Sequence, residues 1–412
     1  MAAEIQQQDA VEEVVIAGAG LAGLAVALGL HRKGVRSVVL ESSPERRTSG
    51  FAFFTWTNAF RALDALGVGD KMRGRHVQLQ GLRVMSSSTG KIAQEMDLKV
   101  KGKLGLHEVR CVQRNVLLQA LEEELPAGTI RYSSKIVSID QDEHDGAKIL
   151  HLADGATLRA KVLVGCDGIN SVVAKFLGLA KPSDSGRLAT RGLARYPDGN
   201  HGFEPKILQL VGEGFRAGVV PTSDTDVYWF FTWSPAASTD GVDRSPAAMK
   251  QFVLDRMRGA RVGPRVLEAV ERSEMGDVLA APLRYRSPLS LLFAGISKGN
   301  VCVAGDALHP TMPDLAQGAC TALEDGVVLA RCLGDALMAG TAGDERERVE
   351  AALRRYAGIR RWRSAQVIAA SYVVGFLQES DHAVVSFVRD KLLSGVLAKT
   401  LLMMPDYDCG KL

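Results

Sequence analysis

Short apolar runs and stretches of helical periodicity alternate along this chain from its beginning. Residues 14–17 are continuously apolar and predict a buried strand, 21–30 carry the apolar spacing of a helix, and 37–40 predict a second strand. Strands that alternate with helices are typical of a parallel sheet. The pattern therefore predicts an α/β unit at the start of the chain.

The pattern changes between residues 181 and 283. Strands at 207–210, 215–220 and 227–233 are separated by Gly, Pro, Ser and Asp, which favours an antiparallel sheet. The buried-strand type returns at 300–306, so we expect the antiparallel region to be inserted into the first sheet. The remaining predicted elements are antiparallel strands within 77–98, strands over 130–139, 147–152 and 162–165, and helices over 58–66, 112–125, 247–257, 265–272, 318–338 and 345–374.

The composition is that of an ordinary globular protein, since 46% of its 412 residues are hydrophobic and 24% are charged. A net charge of +3 gives no reason to expect nucleic acid as a partner, and no apolar run is long enough for an integral membrane segment. The six cysteines form neither a C-x-x-C pair nor a cluster with histidine. We therefore expect no metal site and a reducing compartment.

The two ends of the chain bear on its location. Residues 1–13 are polar and lack the apolar core of a signal peptide, which favours the cytoplasm. The final three residues, GKL, are similar to a peroxisomal tripeptide except in the first position, so a peroxisomal location is the weaker alternative. Residues 376–404 are amphipathic, and we expect them to pack on the protein rather than on a membrane surface.

A glycine motif, Gly18-x-Gly20-x-x-Gly23, lies between the first strand and the first helix. Gly18 permits a tight turn, Gly20 lets the backbone approach a pyrophosphate, and Gly23 lets the helix pack closely on the strand. The motif therefore predicts a dinucleotide-binding turn. An ordinary glycine turn is the alternative, which the surrounding strand and helix disfavour.

The residues around this turn extend the prediction. The first helical N–H groups, from Leu21, Ala22 and Gly23, are free to bind phosphate at the positive end of the helix dipole. Glu41 follows the second strand at the spacing of a carboxylate that accepts hydrogen bonds from ribose hydroxyls. These residues do not distinguish NAD from FAD.

Two later motifs complete a set of three. The second reads GCDGINS at 165–171, and the third reads GDALHP at 305–310 followed by MPDLAQG at 312–318. In this order, and over nearly the whole chain, the three motifs resemble the FAD-dependent aromatic-hydroxylase (class A) flavoprotein monooxygenases. The resemblance is closest to the plant group that is similar to salicylate hydroxylase and zeaxanthin epoxidase.

The resemblance implies a Rossmann-like FAD-binding domain with an inserted antiparallel-sheet substrate domain and C-terminal helices. The FAD-binding domain would comprise residues 1–180 and 285–345. The substrate domain would comprise 181–284 with the strands from about 77–98, and the C-terminal helices would occupy 346–412.

The resemblance also implies residues that bind FAD. Asp306 would accept hydrogen bonds from the ribityl hydroxyls, with a helix-capping aspartate as the alternative. Arg114 would lie along the diphosphate and ribityl region, with an ordinary surface arginine as the alternative. Arg47 matches a similar position after the second strand. Asp167 is expected to hold a local backbone network, and its role toward the cofactor would be indirect.

The loop before the helix at 318–338 would lie at the flavin ring. The N–H groups at Gly318 and Ala319 would face the pyrimidine edge of the ring. The chain departs from the family at Ala316 and Ala319, where glycine is usual. Alanine would strain this loop if either position required a positive φ.

The strand at 227–233 carries the richest aromatic run in the chain. Alternation places Trp229 and Phe231 on one face and Tyr228 and Phe230 on the other. We expect Trp229 and Phe231, together with Pro221, to line an apolar substrate pocket over the flavin. The alternative is that both faces are core.

The resemblance implies the reaction as well. NAD(P)H, a transient co-substrate, would reduce FAD, and a flavin hydroperoxide formed with O2 would hydroxylate or epoxidise a small hydrophobic or aromatic substrate. The catalytic residues stay unknown, because Tyr228, His201 and His309 are only candidates for a general acid or base. A flavin-linked reductase or oxidase on the same scaffold, or a non-catalytic flavin-binding protein, is the alternative. Substrate identity and oligomeric state are not encoded in these patterns.

Overall fold

Two sheets, one of eight and one of seven strands, carry the fold. The computed structural model describes residues 11–46, 51–212, 214–235, 243–340, 344–379 and 402–412. Arg47 and most of the amphipathic segment predicted at 376–404 lie outside the described residues.

The elements are numbered here in chain order. The strands are β1 (Val11–Ala17), β2 (Val38–Leu40), β3 (Ala52–Thr55), β4 (Gly81–Ser86), β5 (Ile92–Asp97), β6 (Lys101–Gly102), β7 (Gly105–Leu106), β8 (Arg110–Gln113), β9 (Ile130–Arg131), β10 (Ile136–Gln141), β11 (Lys148–Leu152), β12 (Thr157–Gly165), β13 (Ser183–Arg195), β14 (Lys206–Gly212), β15 (Phe215–Pro221), β16 (Asp226–Trp233), β17 (Leu279–Tyr285), β18 (Ser297–Lys298) and β19 (Val301–Val303). The helices are α1 (Leu21–Arg32), α2 (Thr57–Leu66), α3 (Gly69–Arg73), α4 (Arg114–Glu122), α5 (Val172–Phe176), α6 (Pro246–Arg258), α7 (Pro264–Arg272), α8 (Pro288–Phe293), α9 (Gly318–Met338) and α10 (Glu345–Glu379).

The eight-stranded sheet is parallel at its centre. Strands β12, β1, β2 and β9 lie side by side in parallel, and β10 and β11 add an antiparallel edge. The late strand β19 pairs in parallel with the end of β12. The α/β prediction is therefore confirmed, and the chain does return to its first sheet after the antiparallel region.

Helices cover the parallel sheet because both of its faces are apolar. Residues 22–30 of α1 are all buried. Helix α9 packs closely against α1. A Cβ atom at Gly326 would lie 2.4 Å from Cβ of Ala25, so only glycine permits that contact.

The seven-stranded sheet has the order β17-β13-β16-β15-β14-β4-β5. Its neighbours are antiparallel except β14 and β4, which pair in parallel. Helices α6 and α7 cover one face of this sheet and enclose a second hydrophobic core. The opposite face contributes Leu193, Val220 and Tyr228 to the core of the first sheet.

One predicted strand is wrong. Residues 130–139 do not form a single strand, because β9 pairs with β2 at one edge of the sheet while β10 pairs with β11 at the other. Between them Ser133 adopts a positive φ of 54°, and the N–H groups of Ser133 and Ser134 donate to the carbonyls of Ser43 and Glu41. The alternation of apolar residues continues across this turn, so the sequence pattern predicted one continuous strand.

All six cysteines are free thiols in buried positions. Cys166 and Cys302 lie in or beside the central strands β12 and β19, where they fill space as small apolar side chains. Within the described ranges, no helix has the length and apolar character required to span a membrane.

Candidate functional site

The glycine turn between β1 and α1 is held by close backbone packing. Gly18 has a φ of +97°, and a Cβ atom there would lie 2.5 Å from the carbonyl oxygen of Cys166. A Cβ atom at Gly23 would lie 1.9 Å from the carbonyl oxygen of Gly18. By contrast, a Cβ atom at Gly20 would project into open space. Gly18 and Gly23 are therefore required by the fold, whereas Gly20 keeps an open approach to the start of α1.

A cavity of about 400 Å³ lies at the carboxyl ends of β1, β2 and β12. This is the edge at which parallel α/β sheets bind ligands. The charged and polar residues that line it come from several elements: Glu41, Ser42, Glu45, Arg46, Arg114, Glu122, Tyr132, Ser134, Lys135, Asp167 and Asn170.

Glu41 ties the second strand to the glycine turn. Its Oε2 accepts a hydrogen bond from the N–H of Ala19 at 2.8 Å, and its Oε1 accepts one from the N–H of Ser43 at 2.8 Å. The carboxylate predicted to bind ribose therefore also holds the turn in place, at the wall of the cavity.

Asp167 organises the turn after β12. Its Oδ2 accepts a hydrogen bond from the N–H of Val172 at 2.7 Å, at the start of α5. Its Oδ1 is buried and has no hydrogen-bond partner among the described residues. Burial raises the pKa of this carboxyl, and hydrogen bonds from Ser171 and the backbone oppose the shift. One oxygen of Asp167, a residue of the cavity wall, is therefore buried without a hydrogen-bond donor among the described residues.

Two arginines line the cavity. Arg114 is the first residue of α4, and its Cζ is 5.7 Å from the ring centroid of Phe51. Arg46 is paired with Glu122 at 3.0 Å. Both arginines line the cavity together with Glu122, and a guanidinium group matches the geometry of a phosphate.

Asp306 lies in a tight turn directly after β19, where Gly305 has a φ of +60°. Its side chain is accessible to solvent and receives no hydrogen bond from any residue that the structure describes. Burial of the surrounding turn raises the pKa of this carboxyl, while the positive charges of His309, Arg191 and Arg114 act to lower it. Asp306 is not part of the wall of the 400 Å³ cavity. Arg114 lines the cavity and its positive charge acts on Asp306, so it lies near the cavity and near Asp306.

The loop before α9 contains a strained alanine. Ala316 has φ 52° and ψ 36°, which is left-handed backbone that favours glycine. Ala319 lies within the regular helix α9 and carries no such strain. The departure from glycine at Ala316 therefore has a conformational cost, whereas the departure at Ala319 has none.

The same loop is fixed to the seven-stranded sheet through Asp314. This carboxylate is buried and accepts hydrogen bonds from Arg187 at 2.9 Å and from Arg216 at 2.9 Å. Gly375 of α10 packs against it, since a Cβ atom there would lie 2.6 Å from Oδ2 of Asp314. The loop, the sheet and the last long helix are therefore joined at one buried charge cluster.

A second buried ionic network lies behind the loop and was not predicted from the sequence. Asp325 accepts hydrogen bonds from the N–H of Gly305 at 2.7 Å, from Nε2 of His309 at 2.6 Å and from Nε of Arg360 at 2.5 Å. Burial acts to raise the pKa of Asp325, but the charges of His309 and Arg360 and these hydrogen bonds lower it to about 2. The network holds the turn that carries Asp306.

This network also explains His309, which was a candidate acid or base. Its imidazole is buried and its Nε2 is bonded to Asp325, so it acts on the turn rather than on an open cavity. His201 is bonded through both ring nitrogens to its own neighbourhood, the carbonyl of Ser223 and the N–H of Phe203. Neither position supports a proton-transfer role.

The expected pocket role of Trp229 and Phe231 is corrected by their positions. Both side chains are fully buried in the core between the seven-stranded sheet and helices α6 and α7. Nε1 of Trp229 donates to Oγ of Ser273 at 2.7 Å, and the Phe231 ring stacks on Phe215 with centroids 4.9 Å apart. Alternation predicted the two faces of β16 correctly but could not tell which face α6 and α7 cover.

The opposite face of β16 points toward the first sheet. Tyr228 belongs to the core that the two sheets share, and Phe230 packs against it. Pro221 is buried at the end of β15, where it is opposite Val227. The aromatic residues on this face of β16 are thus Tyr228 and Phe230.

Comparison with known proteins gives the class of the molecule. A family described as "FAD binding domain" matches residues 12–371. Monooxygenase 2 of Arabidopsis thaliana is 44% identical, covering 98% of this chain and 99% of that protein, and Monooxygenase 1 of the same plant is 36% identical, covering 97% and 99%. The chain therefore belongs to the FAD-binding-domain family and is an FAD-dependent monooxygenase of the aromatic-hydroxylase type (class A).

Solved structures agree with this fold. Klebsiella pneumoniae HpxO complexed with FAD and uric acid superposes with a TM-score of 0.79 at 21% identity, covering 97% of each chain. A salicylate hydroxylase substrate complex superposes with a TM-score of 0.67 at 20% identity, covering 96% of this chain and 98% of that chain. At such low identity these likenesses concern the fold.

Proposed function

We propose that this FAD-dependent monooxygenase uses NAD(P)H and O2 to hydroxylate or epoxidise a small hydrophobic or aromatic substrate. The observation that carries the proposal is the exposed carboxylate of Asp306, to which no described residue donates a hydrogen bond. It lies in the turn after β19, and β19 pairs with β12, the neighbour of the strand β1 that leads into the glycine turn. The Asp325 network fixes this turn, while the carboxylate of Asp306 stays free to accept hydrogen bonds. Such an acceptor suits a ligand that is rich in hydroxyl groups.

The residues fit FAD in three places. The open space at Gly20 and the free N–H groups of α1 would accept the pyrophosphate, with Arg114 as the counter-charge. Asp306 would accept hydrogen bonds from the ribityl chain. The start of α9 would approach the ring. The full proposed set is Gly18, Gly20, Leu21, Ala22, Gly23, Glu41, Arg114, Asp167, Asp306, Gly318 and Ala319, with Arg47 proposed from the sequence alone.

When bound, FAD supplies the redox chemistry, which is hydride acceptance from the nicotinamide and activation of O2. The chain contributes binding, orientation and the exclusion of water. The aromatic face of Tyr228 and Phe230 is apolar and would hold a planar ring, and Asp314 with its two arginines would keep the loop rigid. We assign no general base.

Purification and anaerobic reduction test the proposal. The protein should carry FAD at close to one equivalent, oxidise NADPH or NADH, and incorporate one ¹⁸O atom from ¹⁸O2 into a product drawn from a panel of phenols, salicylates and terpenoids. Hydrogen peroxide formed in full equivalence with NAD(P)H, whichever substrate is present, would favour an oxidase. A well-folded protein indifferent to FAD would refute the proposal. Asp306→Asn should lower FAD affinity about 10-fold, since a charged acceptor becomes neutral.

A further inference from the structure

A short hairpin, formed by strands β6 and β7, belongs to neither of the two main sheets. Lys101 of β6 pairs with Leu106 of β7. The second pair is Gly102 with Gly105, and since glycine has no side chain, the hairpin presents only two lysine and two leucine side chains. We refer to residues 101–106 as the lysine–leucine hairpin.

Both leucines of the hairpin face water. Leu106 is 70% exposed and Leu104 is 36% exposed. A single exposed leucine is ordinary on a protein surface, but here two lie within three residues of each other. Lys101 is the cross-strand partner of Leu106, so a cationic and an apolar side chain lie side by side.

The lysines give the hairpin a local positive charge. Lys101 and Lys103 are exposed, as is Lys99 just before the hairpin. In the part of the chain that the structure describes, none of the three ammonium groups forms an ion pair, because the carboxylates of Asp97 and Asp406 accept hydrogen bonds from the backbone N–H groups of Lys99 and Lys103 instead. The ammonium groups are therefore open to an external anion.

The backbone of the hairpin is fixed from below. Both carboxylate oxygens of Asp406 lie 3.1 Å from the backbone nitrogen of Lys103. A Cβ atom at Gly102 would lie 2.3 Å from Oδ1 of Asp406, so the carboxylate packs directly on the glycine. A guanidinium nitrogen of Arg61 donates to the carbonyl oxygen of Leu104. These contacts hold the main chain and leave the lysine and leucine side chains in solvent.

We propose that the lysine–leucine hairpin binds the surface of an anionic membrane. Each lysine near such a surface strengthens binding about 5-fold, and the exposed leucines would enter the apolar boundary beneath the lipid headgroups. Lysine alone could protect a strand edge from aggregation, but that role does not account for the leucines. Single-stranded nucleic acid is bound through stacking on aromatic side chains, which the hairpin lacks. The inference is independent of the proposed function.

Vesicle co-sedimentation of the full chain, loaded with FAD, tests this inference. The probes are vesicles of phosphatidylcholine with and without phosphatidylserine. The wild type should bind the anionic vesicles about 10-fold or more tightly than the neutral ones, and added salt should weaken that binding. Lys103→Gln combined with Leu106→Ser should weaken it about 10-fold or more. FAD content and thermal unfolding should stay unchanged, because both side chains are exposed.

Lys91→Gln combined with Ile92→Ser is the matched control. It also removes one exposed lysine and one exposed aliphatic side chain, since Ile92 is 54% exposed. Ile92 begins β5, and Asp97 at the other end of that strand, about 17 Å away, leads toward the hairpin. The control should bind both kinds of vesicle as the wild type does.

A fluorophore on the hairpin tests the contact itself. All six native cysteines are buried, so Leu106→Cys supplies a single accessible thiol for an environment-sensitive dye. The dye emission should shift to shorter wavelength with anionic vesicles, whereas the same dye on Ile92→Cys should not respond.

Several results would overturn the inference. They are a wild type that does not bind anionic vesicles or binds neutral ones equally, a hairpin double variant that binds as the wild type does, and a hairpin dye that is indifferent to vesicles. A lipid-independent dimer that the hairpin double substitution dissociates would assign the hairpin to a second copy of the chain instead. None of these results bears on FAD content or ¹⁸O incorporation, which test the proposed function separately.

Discussion

Replacing Asp325 with asparagine tests whether the buried ionic network holds the turn that carries Asp306. The carboxylate is fully buried and receives three donors, from Gly305, His309 and Arg360. Asparagine offers one oxygen in place of two, so at least one donor would face an NH2 group. Arg360 would also lose one of its two buried counter-charges.

The expected loss of stability can be bounded in two ways. The pKa of Asp325 falls from 3.8 to about 2 in the folded protein. At about 1.4 kcal/mol per unit, this corresponds to about 2 kcal/mol of stability at neutral pH. Breaking a buried ion pair by removing one partner costs about 3–5 kcal/mol, because unpaired charge remains. We expect Asp325→Asn to lower the free energy of unfolding by about 2–5 kcal/mol at pH 7.

The dependence on pH has a definite sign. Because the folded pKa is lower than the unfolded pKa, the contribution of Asp325 is present above pH 3.8 and is lost as the pH falls toward 2. The difference in stability between wild type and variant should therefore narrow over that range.

Urea unfolding followed by tryptophan fluorescence measures this loss, with FAD content as the second readout. Asp335→Asn is the control on the same helix, since Asp335 is 54% exposed and pairs with Lys33 at the surface. The control should change stability by less than about 1 kcal/mol. An Asp325→Asn variant within about 1 kcal/mol of the wild type, with full FAD content, would refute the role assigned to the network.

Further substitutions test individual positions. Gly23→Ala should abolish folding or FAD binding because its Cβ would lie 1.9 Å from a backbone oxygen, whereas Gly20→Ala should fold normally and lose FAD affinity; thermal unfolding and FAD content of both variants separate these outcomes. Ala316→Gly should raise the free energy of unfolding by up to about 1 kcal/mol by relieving left-handed backbone, and a lower melting temperature would contradict this. Trp229→Phe should lower the free energy of unfolding by about 1–2 kcal/mol, because the hydrogen bond to Ser273 is lost, and should leave the KM for substrate unchanged. A raised KM would indicate that Trp229 does line the substrate pocket.

Local patterns predicted the turns of the site well. The glycine turn, the strand before Asp167 and the return of the chain at β19 each follow from a short buried strand that ends in Gly or Asp. These patterns lie within one segment of the chain, so the prediction does not depend on how the rest of the chain folds.

Contacts between segments that are distant in the chain could not be predicted from the sequence. Arg360 lies 35 residues from Asp325, and no periodicity links them. The orientation of β16 depends on which face α6 and α7 cover, and alternation is the same in both arrangements.

Because every cysteine is buried, the labelling of its thiol can report on local opening of the fold. Because the thiolate is the reactive form and burial raises the pKa of the thiols of Cys111, Cys166 and Cys302, an alkylating reagent can modify them only when the fold opens. Mass-spectrometric labelling rates would then time the opening of separate regions. Cys166 would report on the cavity beside the glycine turn, and Cys409 on the docked C-terminal residues.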